Sequence, residues 1–348
     1  MIWAYVVRRI GQMVPTFLLA TLLSFVLIQA APGDFVERFA MEDNVDQAQL
    51  DRLNERLGLD QPILVQYGRW MWSLVRFGYL GESFNYRAPV ADVILPMIGN
   101  SMSLALLALV LTYLLAVPLA VTSAMRKYST LDKSVTAFSF FGLAIPNFFF
   151  MLLLIVGIVA LQPTLRGLGS VAPWLDPFVY DLQRGLWFPV GGMRTTAIYD
   201  GLPWYGQLAD RLWHLALPAL VVTTASLAPL VRILRGQMLE ILESDFVRTA
   251  HAKGVPERGV VYKHALRNAL NPLISSAGAV LPELITGAGL VEFVVRWPGI
   301  TPAFVAAIQA QDLYVIMGLL TLSVVLLMIG NLIADFLLVL VDPRIRYS

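Results

Sequence analysis

Six long apolar runs, at roughly 10–30, 97–124, 134–160, 212–231, 269–291 and 314–341, alternate with polar stretches along the 348 residues. Each reaches the ~20 residues that a helix needs to cross a hydrocarbon layer ~30 Å thick. The pattern predicts an all-α polytopic membrane protein with six transmembrane helices. Pro15, Pro118, Pro146, Pro218, Pro229 and Pro282 fall inside these runs. Within a bundle they are tolerable, because neighbouring helices can satisfy the carbonyls a proline frees. An even number of crossings returns both termini to one side. Two of the intervening segments are too long to be turns. Residues 31–96 carry a predicted helix at about 44–57, with Leu50, Leu53 and Leu57 on one face, Asn44 as its cap and Gly58 as its stop. A second, more apolar helix is predicted from Ile63 to Phe77, where Trp70 and Trp72 suggest a place at the interface or on the bundle. Residues 161–211 are rich in Pro, Gly and Trp and read as an irregular packed cap.

Charge decides which side is which. Hydrophobic residues make up 57% of the chain and charged ones 14%, and the mean hydropathy is +0.69, so most of the chain belongs in a bilayer. Segments 1–9, 125–133, 232–268 and 342–348 hold 14 Lys/Arg in 62 residues, whereas 31–96, 161–211 and 292–313 hold 11 in 139. By the positive-inside rule both termini and the 232–268 segment are cytoplasmic. Arg8 and Arg9 ahead of an apolar run resemble a secretory signal, but 10–30 is longer than a signal's apolar core and reads as an uncleaved first helix.

The chemistry is sparse. There are no cysteines, and His214, His251 and His264 leave little for a metal centre. No G-x-x-x-x-G-K-[ST] occurs, so no Walker-type nucleotide site is encoded, and G-x-S-x-G and H-E-x-x-H are absent as well; no nucleic-acid partner is expected. The polar stretch Ser244–Pro272 stands apart, with Arg248, Lys253, Arg258, Lys263 and Arg267 beside two histidines. Ser244 or Asp245 can cap a helix start, and Asp245 suits the positive end of the helix dipole. Gly254 can take the left-handed conformation that stops a helix, and Pro256 blocks its continuation. A short helix is therefore predicted at about Asp245–Lys253, kept slim by Ala250 and Ala252, with a second helix from about Glu257. The stretch is either an orienting basic loop or a docking element for a separate motor. Inside the spans, Glu283 and Asp335 are costly in hydrocarbon. Each reads first as paired with an arginine or near an interface. A second reading has Glu283 lining a translocation path, with Asn147 a less favoured candidate. Asn147 and Asn331 read as interhelical hydrogen-bonders, Gly278, Gly287 and Gly289 as close-contact positions, and His214 beside Trp213 as an interface anchor.

The run D-F-V-R-T-A-H-A-K-G (245–254), then K-H-A-L-R-N-A-L-N-P (263–272) and V-E-F-V-V-R-W-P-G-I (291–300), resembles the membrane subunits of ATP-binding-cassette importers. More narrowly it is similar to the dipeptide/oligopeptide/nickel permease group of DppB/OppB type. A-P-G-D (31–34), L-G-L-D-Q-P-I (57–63), P-V-G-G-M-R (189–194) and H-L-A-L-P-A-L (214–220) agree with it. The resemblance implies three regions: a first transmembrane helix with an external segment over 1–96, a permease core over 97–341 with its cap at 161–211 and coupling loop at 232–268, and a cytoplasmic tail at 342–348. It implies that Asp245, Arg248, Thr249, Ala250, Lys253 and Gly254 form the coupling helix that seats in a cytoplasmic ATPase subunit. Arg248-Thr249-Ala250 stands where the family's Glu-Ala-Ala motif has its glutamate, which fits the peptide branch and removes any salt bridge to that glutamate. The implied function is ATP-driven import of di- or oligopeptides by alternating access, or of nickel complexes or oligosaccharides through the same architecture. The implied partners are a second permease, ATPase subunits that bind ATP and Mg, an external substrate-binding protein and membrane lipid. No catalytic residue, cofactor or metal is expected in this chain. A stand-alone secondary transporter is the rival, but inverted repeats are not visible.

Overall fold

A computed structural model describes residues 2–30, 61–169, 189–196, 198–273 and 288–341. Among them the secondary structure is helical, with one isolated antiparallel bridge between Glu82 and Pro89. Four helices are long and apolar enough to cross a membrane, and a sharply bent pair would make a fifth crossing. The predicted helix at 44–57 lies outside the described residues, as does most of the predicted span 269–291.

The chain divides into two compact units. The first comprises residues 1–100 and 299–329. It contains α1 (Ile2–Gln29), α2 (Ile63–Phe77), the start of α3 (Val90–Met125), α9 (Ile300–Gln309) and most of α10 (Leu313–Val341). Phe25, Trp70, Ile94, Met317 and Leu319 form its core. Polar links join α1 to α2: Thr21 and Tyr67 share a hydrogen bond of 2.9 Å, and Gln29 donates to Gln66 at 2.8 Å. The two tryptophans of α2 separate, Trp70 buried with its indole N–H on the Leu80 carbonyl at 3.0 Å and Trp72 60% exposed. Buried Asp312 holds the loop before α3, accepting from the Ser83 hydroxyl at 2.6 Å and the Asn85 amide at 3.0 Å. Gly81 in that loop has φ +108° and lies so close to Tyr314 that an added Cβ would come within 2.7 Å of the ring.

The second unit comprises residues 101–298 and 330–346. It holds the rest of α3, α4 (Thr130–Ala144), α5 (Asn147–Gly169), α6 (Trp204–Leu242) and α7 (Asp245–Ala252). A continuous helical run follows, α8, built from Glu257–Gly259, a π-helical middle Val260–Leu266, and Arg267–Ala269. Ala116, Ala120 and Ala124 recur every fourth residue on α3 and pack with Leu230, Leu234 and Met238 of α6 and Ala265 and Ala269 of α8. In lipid, helices associate through close packing more than through the hydrophobic effect, and small residues permit that approach. Many large apolar side chains instead point outward, such as Leu114 at 64% and Val156 at 63% exposure. This is the inversion expected where lipid is the solvent.

Two expectations change here. The run 134–160 reads as one span, but α4 and α5 meet at a bend of 102°. Ile145, before Pro146, is extended (φ −102°, ψ 122°), because a proline crowds the helical conformation of its predecessor. Gly142 permits close packing at the bend, since an added Cβ would sit 2.8 Å from the Thr224 carbonyl oxygen of α6. Second, the run 212–231 is the middle of a 39-residue helix, and residues 232–242, read as the start of a polar loop, continue it. At ~1.5 Å per residue α6 is about 58 Å long, well beyond ~30 Å of hydrocarbon. Burial of Leu234 and Met238 against α3 and α8 sustains the extension.

Candidate functional site

The polar stretch after α6 folds as a helix–turn–helix. Ser244 is extended (φ −72°, ψ 156°) and begins α7, where its carbonyl accepts from the Val247 and Arg248 amides at 3.2 and 3.1 Å. Its side chain does not cap the helix. The hydroxyl instead donates back to the Ile241 carbonyl of α6 at 2.5 Å, so the residue read as a cap also acts as a tie between α6 and α7. Asp245, in the first turn, suits the positive end of the helix dipole. Gly254 has φ +76°, the left-handed stop expected, and Val255 donates to Ala250 at 3.2 Å as the chain reverses. Pro256 then precedes α8.

Burial sorts the two faces of α7. Val247 and Ala250 pack inward with Val260 of α8, and Ile241 and Val255 close the cluster. Ala250 is thus 7% exposed, and its small size serves contact with α8, not the slim outer surface expected of it. Ala252 does lie outside, with Asp245, Phe246, Arg248, Thr249, His251 and Lys253. The Arg248 guanidinium lies 3.4 Å from the Asp245 carboxylate, both strongly exposed. The Thr249 hydroxyl donates to the Asp245 carbonyl at 2.8 Å. Phe246, at 46% exposure, adds an apolar knob to this charged face. The sequence reading passed over it, although an aromatic flanked by charges on a short surface helix is a common recognition anchor. The face can bind a complementary protein cleft, with no nucleophile–base pair on it for covalent chemistry.

The other candidates scatter. Asn147 begins α5 just past the bend and is half-buried. Beside the bend lies a small apolar cavity lined by Phe138, Phe141, Gly142, Ile145, Phe150 and Thr224. Glu283 is outside the described residues, and the Asp335 side chain is likewise not described. His214 is 3% exposed in α6 with Nδ1 2.9 Å from the Asp210 carbonyl, a packed residue and not an interface anchor. Asp210 also accepts from the Thr195 amide and hydroxyl at 2.9 and 2.6 Å. The two quoted motifs at 189–194 and 291–300 meet, the Gly192 amide donating to the Val295 carbonyl at 2.7 Å. Glu292, 1% exposed, accepts from Ser101 of α3. Buried acids outside the apolar runs (Asp132, Glu292 and Asp312) therefore organise the described structure.

Comparison with known proteins adds the following. The family model for binding-protein-dependent transport system inner membrane components matches residues 116–347, and the model for the N-terminal part of such membrane components matches 1–105. The chain is 38% identical over 344 residues to the oligopeptide transport system permease protein AppB of Bacillus subtilis (strain 168), covering 99% of each. It is 35% identical over 345 residues to the di/tripeptide transport system permease protein DppB of Pseudomonas aeruginosa (strain UCBPP-PA14), again 99% of each. The dipeptide transport system permease protein DppB of Escherichia coli (strain K12) is 32% identical over 348 residues, 99% of each.

Proposed function

This chain belongs to the family of binding-protein-dependent transport system inner membrane components, and on that premise we propose that it is the permease subunit of an ATP-driven importer of di- or oligopeptides. The observation that carries the substrate class is similarity to peptide permeases along 99% of both chains. The helix α7 is the coupling helix. Its inner face is bolted to α6 and α8, and its outer face offers Phe246 between Asp245, Arg248 and Lys253. The family membership supports ATP and Mg being bound by partner ATPase subunits, in keeping with the lack of a phosphate-cradling motif in this sequence. Closure of those subunits pushes on α7, and the bundle alternates between outward- and inward-facing states around the peptide. A second permease completes the pathway, and an external binding protein delivers substrate to the side carrying 31–96 and 161–211. Both termini and α7 face the cytoplasm of a multi-pass cell-membrane protein.

Gly254→Val tests the assignment of α7. Nothing lies within 4 Å of an added Cβ there, so the substitution acts through its backbone: a β-branched residue resists φ +76°. We expect the chain to insert and assemble, while ATPase subunits no longer co-purify or their hydrolysis no longer responds to the loaded binding protein. Unchanged trialanine uptake and unchanged stimulated hydrolysis in proteoliposomes would sink the coupling role of α7.

A further inference from the structure

We infer that the Asp132–Arg235 ion pair is the joint through which movement of α7 reaches α3 and α4, an inference resting on the coupling role just proposed for α7. Movement of α7 is first delivered to α6. Only Glu243 and Ser244 separate the two helices, the Ser244 amide and hydroxyl both bond to the Ile241 carbonyl, and Ile241 packs against the Val247–Ala250–Val260 cluster. Arg235 lies two turns before the end of α6, about 10 Å along its axis at ~1.5 Å per residue. Its guanidinium grips Asp132 in two places, Nε to Oδ1 at 2.7 Å and Nη2 to Oδ2 at 2.8 Å.

One carboxylate gathers three pieces of chain. Asp132 sits in the first turn of α4, whose cap Ser129 accepts from the Asp132 amide at 3.2 Å. The Ser123 hydroxyl, at the end of α3, donates to Oδ1. The Tyr128 amide in the connecting turn donates to Oδ2 at 2.9 Å, with Tyr128 itself at φ +65°. The Asp132 side chain is 5% exposed and that of Arg235 25%, so the pair is partly shielded from screening by salt. A buried ion pair is a weak source of net stability, since desolvation offsets the attraction, and apolar side chains could fill the site as well. What a bidentate fork adds is register. The alanine-rich contact among α3, α6 and α8 resists separation but offers little against sliding. The fork permits neither.

A second contact makes the pair a lever. Where Asp132 meets Arg235, α4 begins and α6 nears its end; where Gly142 meets the Thr224 carbonyl, α4 nears its end and α6 is at its middle. From 132 to 142 is about 15 Å and from 224 to 235 about 16 Å at ~1.5 Å per residue, so the two antiparallel helices are pinned at matching points. The helix α4 therefore moves with α6, and its far end is the bend at Ile145–Pro146. A push at α7 is carried to that bend as displacement of a rigid pair.

The experiment uses the assembled transporter in proteoliposomes, measuring trialanine uptake and ATP hydrolysis per assembled complex for D132N, R235K and the exchange D132R/R235D. We expect D132N to retain bound ATPase subunits and to hydrolyse ATP, while uptake per ATP falls about tenfold, within the range of typical coupling energies. R235K keeps the charge but not the fork, so its uptake per ATP falls between D132N and the parent. The exchange recovers part of the D132N loss. A role confined to holding the fold predicts less complex or a lower melting temperature, with uptake per ATP unchanged in every variant, and that result overturns the inference. Unchanged coupling in Gly254→Val sinks the coupling role of α7 and the joint with it. Loss of coupling in Gly254→Val with parental uptake per ATP in D132N sinks the joint alone.

Discussion

Phe246 and Ala250 show how single residues divide labour on α7. They lie four apart in sequence, yet Phe246 is half exposed and Ala250 is buried against Val260. Spacing alone could not orient this eight-residue helix, because its neighbours, and not its own pattern, choose the buried face. Gly254 was legible at this scale, since a glycine followed closely by a proline has few other uses after a helix. The Ser244 side chain was not: capping and donation to Ile241 are equally open to a serine, and the approach of α6 decides between them. Truncating the exposed knob tests the outer face. Phe246→Ala should leave the chain folded and weaken its association with ATPase subunits about tenfold, the effect of losing a modest hot spot, read from titration of the purified subunits.

Among elements, the bend between α4 and α5 marks the limit of hydropathy. Residues 134–160 are apolar throughout, so any window reads one span. Pro146 gave no warning of its own, because Pro15, Pro218 and Pro229 lie inside continuous helices. The difference is tertiary: at Gly142 the helix is drawn against the Thr224 carbonyl, and the extended Ile145 lets α5 depart. Gly142→Ala must displace one of the two backbones, since its Cβ would meet an oxygen at 2.8 Å. We expect a loss of about 1–3 kcal/mol, as for overpacking elsewhere, seen as a lower melting temperature in detergent. A substitution to Ala at Gly157, whose added Cβ meets nothing within 4 Å, should be near neutral in the same assay.

For the whole molecule, the asymmetry of Lys and Arg predicts the orientation that the proposed mechanism requires. The chain has no cysteine, so single cysteines can be placed without background. His251→Cys, exposed on α7, should react with a membrane-impermeant maleimide only from the cytoplasmic side, and Asp200→Cys only from outside. The reverse pattern would invert the topology and separate α7 from any cytoplasmic motor. Long apolar runs, charge bias, the stop at Gly254 and the family motifs are local properties of composition and order. They were sufficient for the all-helical membrane class, for α2 and α7, and for membership of a transport family. The sharp bend after Gly142, the length of α6, the inward face of α7 and the Asp132–Arg235 fork were decided only by tertiary structure. In each, residues about a hundred positions apart, or on separate helices, determine whether a carbonyl, a carboxylate or a small side chain finds a partner. No window along the chain contains that information.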